Sequence, residues 1–219
     1  MPVESPFEAM DKPYSPACDE NKAPILAVLT TLFADRRHVL EIGAGTGQHA
    51  AHFAPVLSHL TWQASDIGAH LPGIDRWLAE ADVPNLPAAI ELDVDGAWPD
   101  GGAGPDAAPG ERPSGPVDAA YSANTAHIMS LAQVAHMFAG VGALLPAGAP
   151  FALYGPFSHG GRHTSQSNAE FDRMLRIRDP LSGVRDLDEL TPLAAAAGLA
   201  LEDDIAMPVN NRILVWRRH

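Results

Sequence analysis

The sequence predicts an α/β fold with a doubly wound, mostly parallel sheet, and three observations carry that expectation. Short apolar runs alternate with helical-period segments along most of the chain, the order that builds parallel sheets. A glycine turn, Gly43-Ala44-Gly45-Thr46-Gly47, joins the first apolar run to the helix after it. The length, 219 residues, suits one core with a few insertions better than two domains.

Taken in order, residues 1–18 hold four prolines and little periodicity, so they read as an irregular arm. A helix follows, from about Asp19 or Pro24 to Phe33, with Ile25, Leu26, Leu29, Leu32 and Phe33 on one face. Residues 38–42 form the first strand, and a helix runs over about 47–57. The second strand covers 60–65 and ends at Asp66, ahead of a helix over about 74–81. Strands three, four and five are expected at 88–92, 117–122 and 150–154. Between the last two, a helix over about 130–144 buries the stripe Leu131, Val134, Ala135 and Phe138. Segment 96–116 holds 11 Gly or Pro among 21 residues, too many for a packed element, and reads as a surface insertion. Helices near 168–177 and 186–197 follow, the second stopped by Gly198. Residues 199–206 and 212–216 then close the sheet as a hairpin-like pair at its edge, so 19–219 form a single domain.

Composition narrows the function classes. Apolar residues at 46% and charged residues at 19% describe a chain that buries a proper core. The formal charge is -13, and no window gathers the Lys/Arg cluster that phosphate neutralisation requires, which argues against nucleic acid. No stretch approaches the roughly 20 apolar residues of a membrane span, and the acidic start, with Glu4, Glu8 and Asp11, is unlike a signal peptide. The single cysteine, Cys18, fits a reducing compartment, and a cytoplasmic protein is expected.

The glycine turn carries the first chemical signal. Gly43, Gly45 and Gly47 let backbone amides approach a nucleotide-like ligand at a helix N-terminus. A dinucleotide fingerprint would place its third glycine at position 48, where this chain has Gln48. Glu41, inside the strand before the turn, suits a cofactor with an ammonium group better than one with a pyrophosphate, and S-adenosylmethionine (SAM) carries that ammonium. Asp66, 19 residues after Gly47, is placed to accept from both ribose hydroxyls. Asp93 is placed for an adenine amino group, with Val94 against the ring.

These residues, with Ser15-Pro16, Asn21-Lys22, Leu40-Glu41-Ile42-Gly43-Ala44-Gly45-Thr46-Gly47-Gln48-His49, Ser122-Ala123-Asn124-Thr125-Ala126-His127-Ile128, Tyr154-Gly155-Pro156-Phe157 and Asn210-Asn211-Arg212, make a pattern. The chain resembles the SAM-dependent methyltransferase-like family that includes vertebrate methyltransferase-like protein 26. The resemblance implies a Rossmann-like class I methyltransferase fold, with a seven-stranded sheet closed by an antiparallel C-terminal strand. It also implies SAM binding at the glycine turn, Asp66 and Asp93, and it implies no substrate.

Polar residues after the later strands are the remaining candidates, because open α/β sheets bind ligands beyond the carboxyl ends of their strands. Asn124 and His127 follow strand four, near where the methyl group should lie, and Asn124 is grouped with the cofactor contacts. His127 is the first candidate base, with Tyr154 and His159 as alternatives. Asn21, Arg162, Arg185 and Asn210 are candidate substrate contacts. His159 and His163 have a metal-like spacing but lie in a glycine-rich loop without a companion glutamate, so no metal is expected. Packing or solvent exposure accounts for His49 and His52.

The function expected is methyl transfer from SAM to a small molecule of unspecified identity, with nucleic acid and membranes excluded as partners and oligomeric state left open. A non-catalytic SAM-binding protein is the alternative from another class. A nicotinamide-dependent oxidoreductase is the third, and Gln48 and Glu41 speak against it.

Overall fold

A computed structural model describes residues 12–99 and 115–219. The chain runs α1 (Pro16–Leu32), β1 (His38–Ile42), α2 (Gln48–Val56), β2 (Thr61–Asp66), α3 (Leu71–Ala81), β3 (Ile90–Glu91), β4 (Ala119–Ala123), α4 (Leu131–Leu144) and β5 (Pro150–Gly155). It continues with β6 (Phe157–His159), β7 (Arg162–His163), α5 (Gln166–Arg178), β8 (Arg185–Asp186), α6 (Leu187–Ala196), β9 (Leu199–Ala206) and β10 (Arg212–Arg218).

Seven strands form the main sheet in the order β3-β2-β1-β4-β5-β10-β9. β1 through β5 pair in parallel, and β10 is antiparallel to both β5 and β9. The expected hairpin-like closure is therefore present, with β10 inserted inside the edge. Winding reverses between β1 and β4, since β2 and β3 lie to one side and β4 and β5 to the other. That reversal opens a crevice at the carboxyl ends of the two central strands.

Alternation along the buried strands splits the core into two layers. Val39, Ala64 and Tyr121 face Ile25 and Leu29 of α1, Phe53 of α2 and Ile74 of α3. Leu40, Ile42 and Leu153 face Val134, Phe138 and Val141 of α4 and Leu190 of α6. Aromatic edges lock each layer: Phe53 meets Trp62 at 5.3 Å between ring centroids, and Phe138 meets Trp216 at 5.2 Å.

Two expectations change. The first helix begins at Pro16, earlier than Asp19, because proline is accommodated at the first helical position, where its missing N–H costs nothing. The glycine-containing segment after β5 is a second, three-stranded sheet in the order β7-β6-β8. It is pinned by Asp186, whose Oδ2 accepts from Ser158 Oγ and from the Gly161 amide, both at 2.8 Å. Of the proposed insertion, residues 100–114 lie outside the described residues, while Trp98 packs against Gly140 of α4.

Candidate functional site

A cavity of about 940 Å³ opens at the switch point, walled by the turns after β1, β2, β3 and β4, by α5, by the turn before β10 and by the chain around α1. Each stretch of wall follows from local chemistry. The glycine turn bends because Gly43, Gly45 and Gly47 adopt φ of 69°, 61° and 87°, a region that side chains with a Cβ avoid. Their roles differ. A Cβ on Gly43 would stand 2.6 Å from Thr125 Cγ2, and one on Gly47 would stand 3.1 Å from Ile74 on α3, so both serve close packing. A Cβ on Gly45 would meet nothing within 4 Å, and Gly45 lines the cavity. Its bare backbone is the place where a ligand can come close.

Asp66 braces that turn. Its Oδ2 accepts from the Gly45 amide at 2.7 Å, and its Oδ1 accepts from the Ile67 amide and from His70 Nδ1, each at 2.8 Å. The carboxylate lines the cavity with acceptor capacity to spare. Asp93 lines it too, one oxygen accepting from the Asp95 amide, and Val94 beside it is buried. Asn124 sits at φ 60°, its amide donating to the Tyr154 carbonyl at 2.9 Å, which turns the chain into the cavity wall.

His127 is the one expected catalytic residue that lines the cavity. It is buried, with Phe171 edge-on at 5.1 Å, and burial first, then the nearby Arg185 charge, hold its pKa down at about 4. It is therefore a neutral imidazole at neutral pH.

The remaining expected residues are placed elsewhere. Glu41 lies behind the turn, 1% exposed, accepting from Trp62 Nε1 at 2.7 Å. Burial pushes its carboxyl up to about 8, so it is uncharged at neutral pH and outside the cavity wall, where an ammonium would not reach it. Tyr154 is buried under α1, its hydroxyl accepting from Asn211 Nδ2 at 2.9 Å. His159 lies on the small sheet, 3.7 Å from Asp204, while His163 faces Asp172 at the same distance. The two histidines have separate partners, and no cluster of three or more metal-ligating side chains occurs among the described residues.

None of the four expected substrate contacts lines the cavity. Asn21 accepts from His49 Nε2 at 2.7 Å, and Arg162 is exposed on β7. Asn210 is exposed and presents its carbonyl to Asn168 Nδ2 at 3.0 Å. Arg185 is 5% exposed, its guanidinium bound to the carbonyls of Ala126, Met129 and Leu181.

Several wall residues escaped the sequence. His49, expected only to pack or face solvent, both packs and lines the cavity: it stacks on Phe53 at 5.1 Å, and burial lowers its pKa to about 4. Its position directly after the glycine turn was the available signal. Asn168, Phe171 and Val209 also line the cavity and carried no such signal, since each belongs to an ordinary helix or turn in sequence.

Comparison with known proteins identifies a family and a shared fold. Residues 12–218 match the family described as "Protein of unknown function (DUF938)". Among solved structures, the chain is similar to the mitomycin 7-O-methyltransferase MmcR, with TM-score 0.75, 14% identity, and coverage of 93% of this chain and 54% of that one. It is similar to the S-adenosylmethionine-dependent methyltransferase SibL in its apo form, with TM-score 0.72, 17% identity and coverage of 92% and 55%. PigF with SAH gives TM-score 0.71, 14% identity and coverage of 90% and 61%. The chain thus spans little more than half the length of these proteins, and the shared feature is the class I methyltransferase fold.

Proposed function

The chain belongs to the family described as "Protein of unknown function (DUF938)", and from its cavity we propose that it is a SAM-dependent methyltransferase acting on a small molecule. Kinship with methyltransferase-like protein 26 is part of the same proposal and rests on the motifs quoted above. The observation that carries the reading is the joint wall of Gly43, Gly45, Asp66, Asp93 and Val94 at the switch point, with open space over Gly45.

Those residues fit the cofactor. The glycine turn would hold its methionine part, Asp66 its ribose hydroxyls, and Asp93 with Val94 its adenine. Bound SAM supplies a methyl group activated by its sulfonium. The chain's task is to align an acceptor and exclude water, which the buried Thr125 and His127 in the wall support. His127, held neutral, accepts a hydrogen bond from the acceptor's hydroxyl and orients it. Its pKa of about 4 makes it a poor proton sink at neutral pH, since a general base works best near the operating pH. Gln48 speaks against a nicotinamide cofactor, because its side chain fills the third-glycine position and accepts from the Ser15 amide at 2.6 Å.

A non-catalytic SAM-binding role has one observation in its favour: of His127, Tyr154 and His159, only His127 lines the cavity. Calorimetry of the full chain with SAM, S-adenosylhomocysteine (SAH) and NAD tests the cofactor, with Asp66→Asn as the control variant. SAM or SAH should bind, and ligand at about 100 times its Kd should add ~2.7 kcal/mol of stability. Binding of NAD alone would overturn the reading. Release of SAH from SAM in the presence of a cell extract separates catalysis from storage.

A further inference from the structure

We infer that the acceptor half of the cavity takes an uncharged, flat, apolar molecule bearing a hydroxyl, and rejects anionic acceptors. This rests on the methyltransferase reading and goes beyond it by naming the acceptor's chemistry.

The cavity volume, about 940 Å³, lies near the top of the usual range of roughly 300–1,000 Å³ for sites that bury a drug-sized ligand, so there is room past the cofactor end. The far end is formed by His127 and Ile128 after β4, Asn168 and Phe171 of α5, and Val209 and Asn211 before β10. Ile128 is 54% exposed and Val209 75% exposed, so the lip of the cavity is apolar on two sides. Phe171 offers a ring to stack against.

Charge is excluded from this end. Among the described residues that line the cavity there is no Lys or Arg. Arg185, behind His127, is engaged with three backbone carbonyls. An anionic acceptor would enter without a cation to pair with, into a protein whose formal charge is -13. A cationic acceptor fares no better, because the carboxylates in the wall, Asp66 and Asp93, stand at the cofactor end and leave this end without an acidic side chain to pair with it.

Polarity remains for a hydrogen bond. Asn168 is 6% exposed and donates through Nδ2 to Thr164 Oγ1 at 2.9 Å and to the Asn210 carbonyl at 3.0 Å. Its Oδ1 has no partner among the described residues, which leaves an acceptor in the wall for a hydroxyl. The same Asn168 amide holds the turn at Val209 and Asn210, whose φ values of 58° and 59° are strained for residues with a Cβ, above all for branched Val209. The structure holds that turn in place against its own preference, which fixes the position of the lip.

The test is binding, measured on the full chain with and without SAH by calorimetry, using three probes on one skeleton: 2-naphthol, 2-naphthoate and 2-naphthylmethylammonium. Neutral 2-naphthol should bind at least about tenfold more tightly than either ion, because an unpaired charge must be desolvated. Ile128→Lys, which places an ammonium at the lip, should narrow or invert the preference toward naphthoate. Equal or tighter binding of naphthoate to the unaltered chain overturns the charge assignment. Absence of binding by all three probes overturns the flat apolar acceptor. Failure of SAH to bind overturns the cofactor reading separately, and the order of the probes on the unloaded chain still decides the charge class.

Discussion

His49 Nε2 donates to Asn21 Oδ1 at 2.7 Å, so a buried side-chain hydrogen bond helps fasten the first helix to the helix that follows the glycine turn. With the proton on Nε2, Nδ1 is left to accept from the Tyr121 hydroxyl at 3.4 Å. Asn21→Ala strands the His49 donor at a position 4% exposed, which should cost ~1–3 kcal/mol. The melting temperature should fall by several degrees, and SAH affinity with it, because Ser15 and Cys18 on the same segment line the cavity. An unchanged melting temperature would show that the segment is held by its other contacts.

The glycine turn should separate folding from binding. Gly43→Ala drives a methyl group into Thr125, whose hydroxyl is tied to Ser122 Oγ at 2.7 Å, so it should lower stability by ~1–3 kcal/mol. Gly45→Ala carries only the left-handed backbone penalty of ~1–2 kcal/mol, with open space around the new methyl group. That methyl group projects where a ligand would approach, so SAH affinity should drop at least about tenfold while the fold survives. Denaturation and calorimetry on both variants check the split, and equal binding loss per kcal/mol of lost stability in the two would remove Gly45's special role.

Stability should peak near the ordinary histidine value of 6.5. His49 and His127, both lowered to about 4, bind protons more readily when unfolded, so each removes stability as pH falls from 6.5 toward 4. Glu41, raised from 4.5 to about 8, keeps its proton in the folded state, so it removes stability as pH rises from 4.5 to 8. Below 6.5 two histidines outweigh one carboxyl, and above it only the carboxyl remains. Glu41→Gln keeps an oxygen for Trp62 Nε1 and removes the titration, so the decline between pH 6.5 and 8 should flatten. The gain at pH 8 should be on the order of a few kcal/mol, because each tenfold difference in proton affinity between the folded and unfolded chain is worth ~1.4 kcal/mol. A decline of the same slope in Glu41→Gln would show that another group titrates.

Much of the fold was legible because a parallel strand buried on both faces writes itself as an apolar run between turn residues, and β1 occupies the expected 38–42. The small sheet was not, since β7 and β8 are two residues each and two residues carry no period. At the site, the glycine turn with Asp66 and Asp93 could be read because each closely follows a strand whose end was visible. Tyr154 also ends a strand, yet the pleat turns it away from the cavity and under α1. The acceptor end draws on Ile128, Phe171 and Val209, which are far apart in sequence and meet only through the fold.

Arg185 illustrates that last point, because its type suggested a substrate contact and its burial gives it another task. Its guanidinium joins the carbonyls of Ala126 and Met129, on either side of His127, to the Leu181 carbonyl after α5. Lysine keeps the charge but not the planar fork, so Arg185→Lys should lose much of the binding of the His127 segment. Arg185→Met loses both, and each variant should be destabilised by ~1–3 kcal/mol for the carbonyls left unpaired. The two differ in electrostatics. Only Arg185→Met removes the charge that helps depress His127, so the His127 pKa should rise from about 4 in that variant and rise less in Arg185→Lys. It should stay below 6.5 in both, because burial is the larger cause. Titration of the His127 ring protons by NMR reads this directly. A pKa that moves equally in both variants would mean that Arg185 acts on His127 by holding its backbone, with its charge contributing nothing.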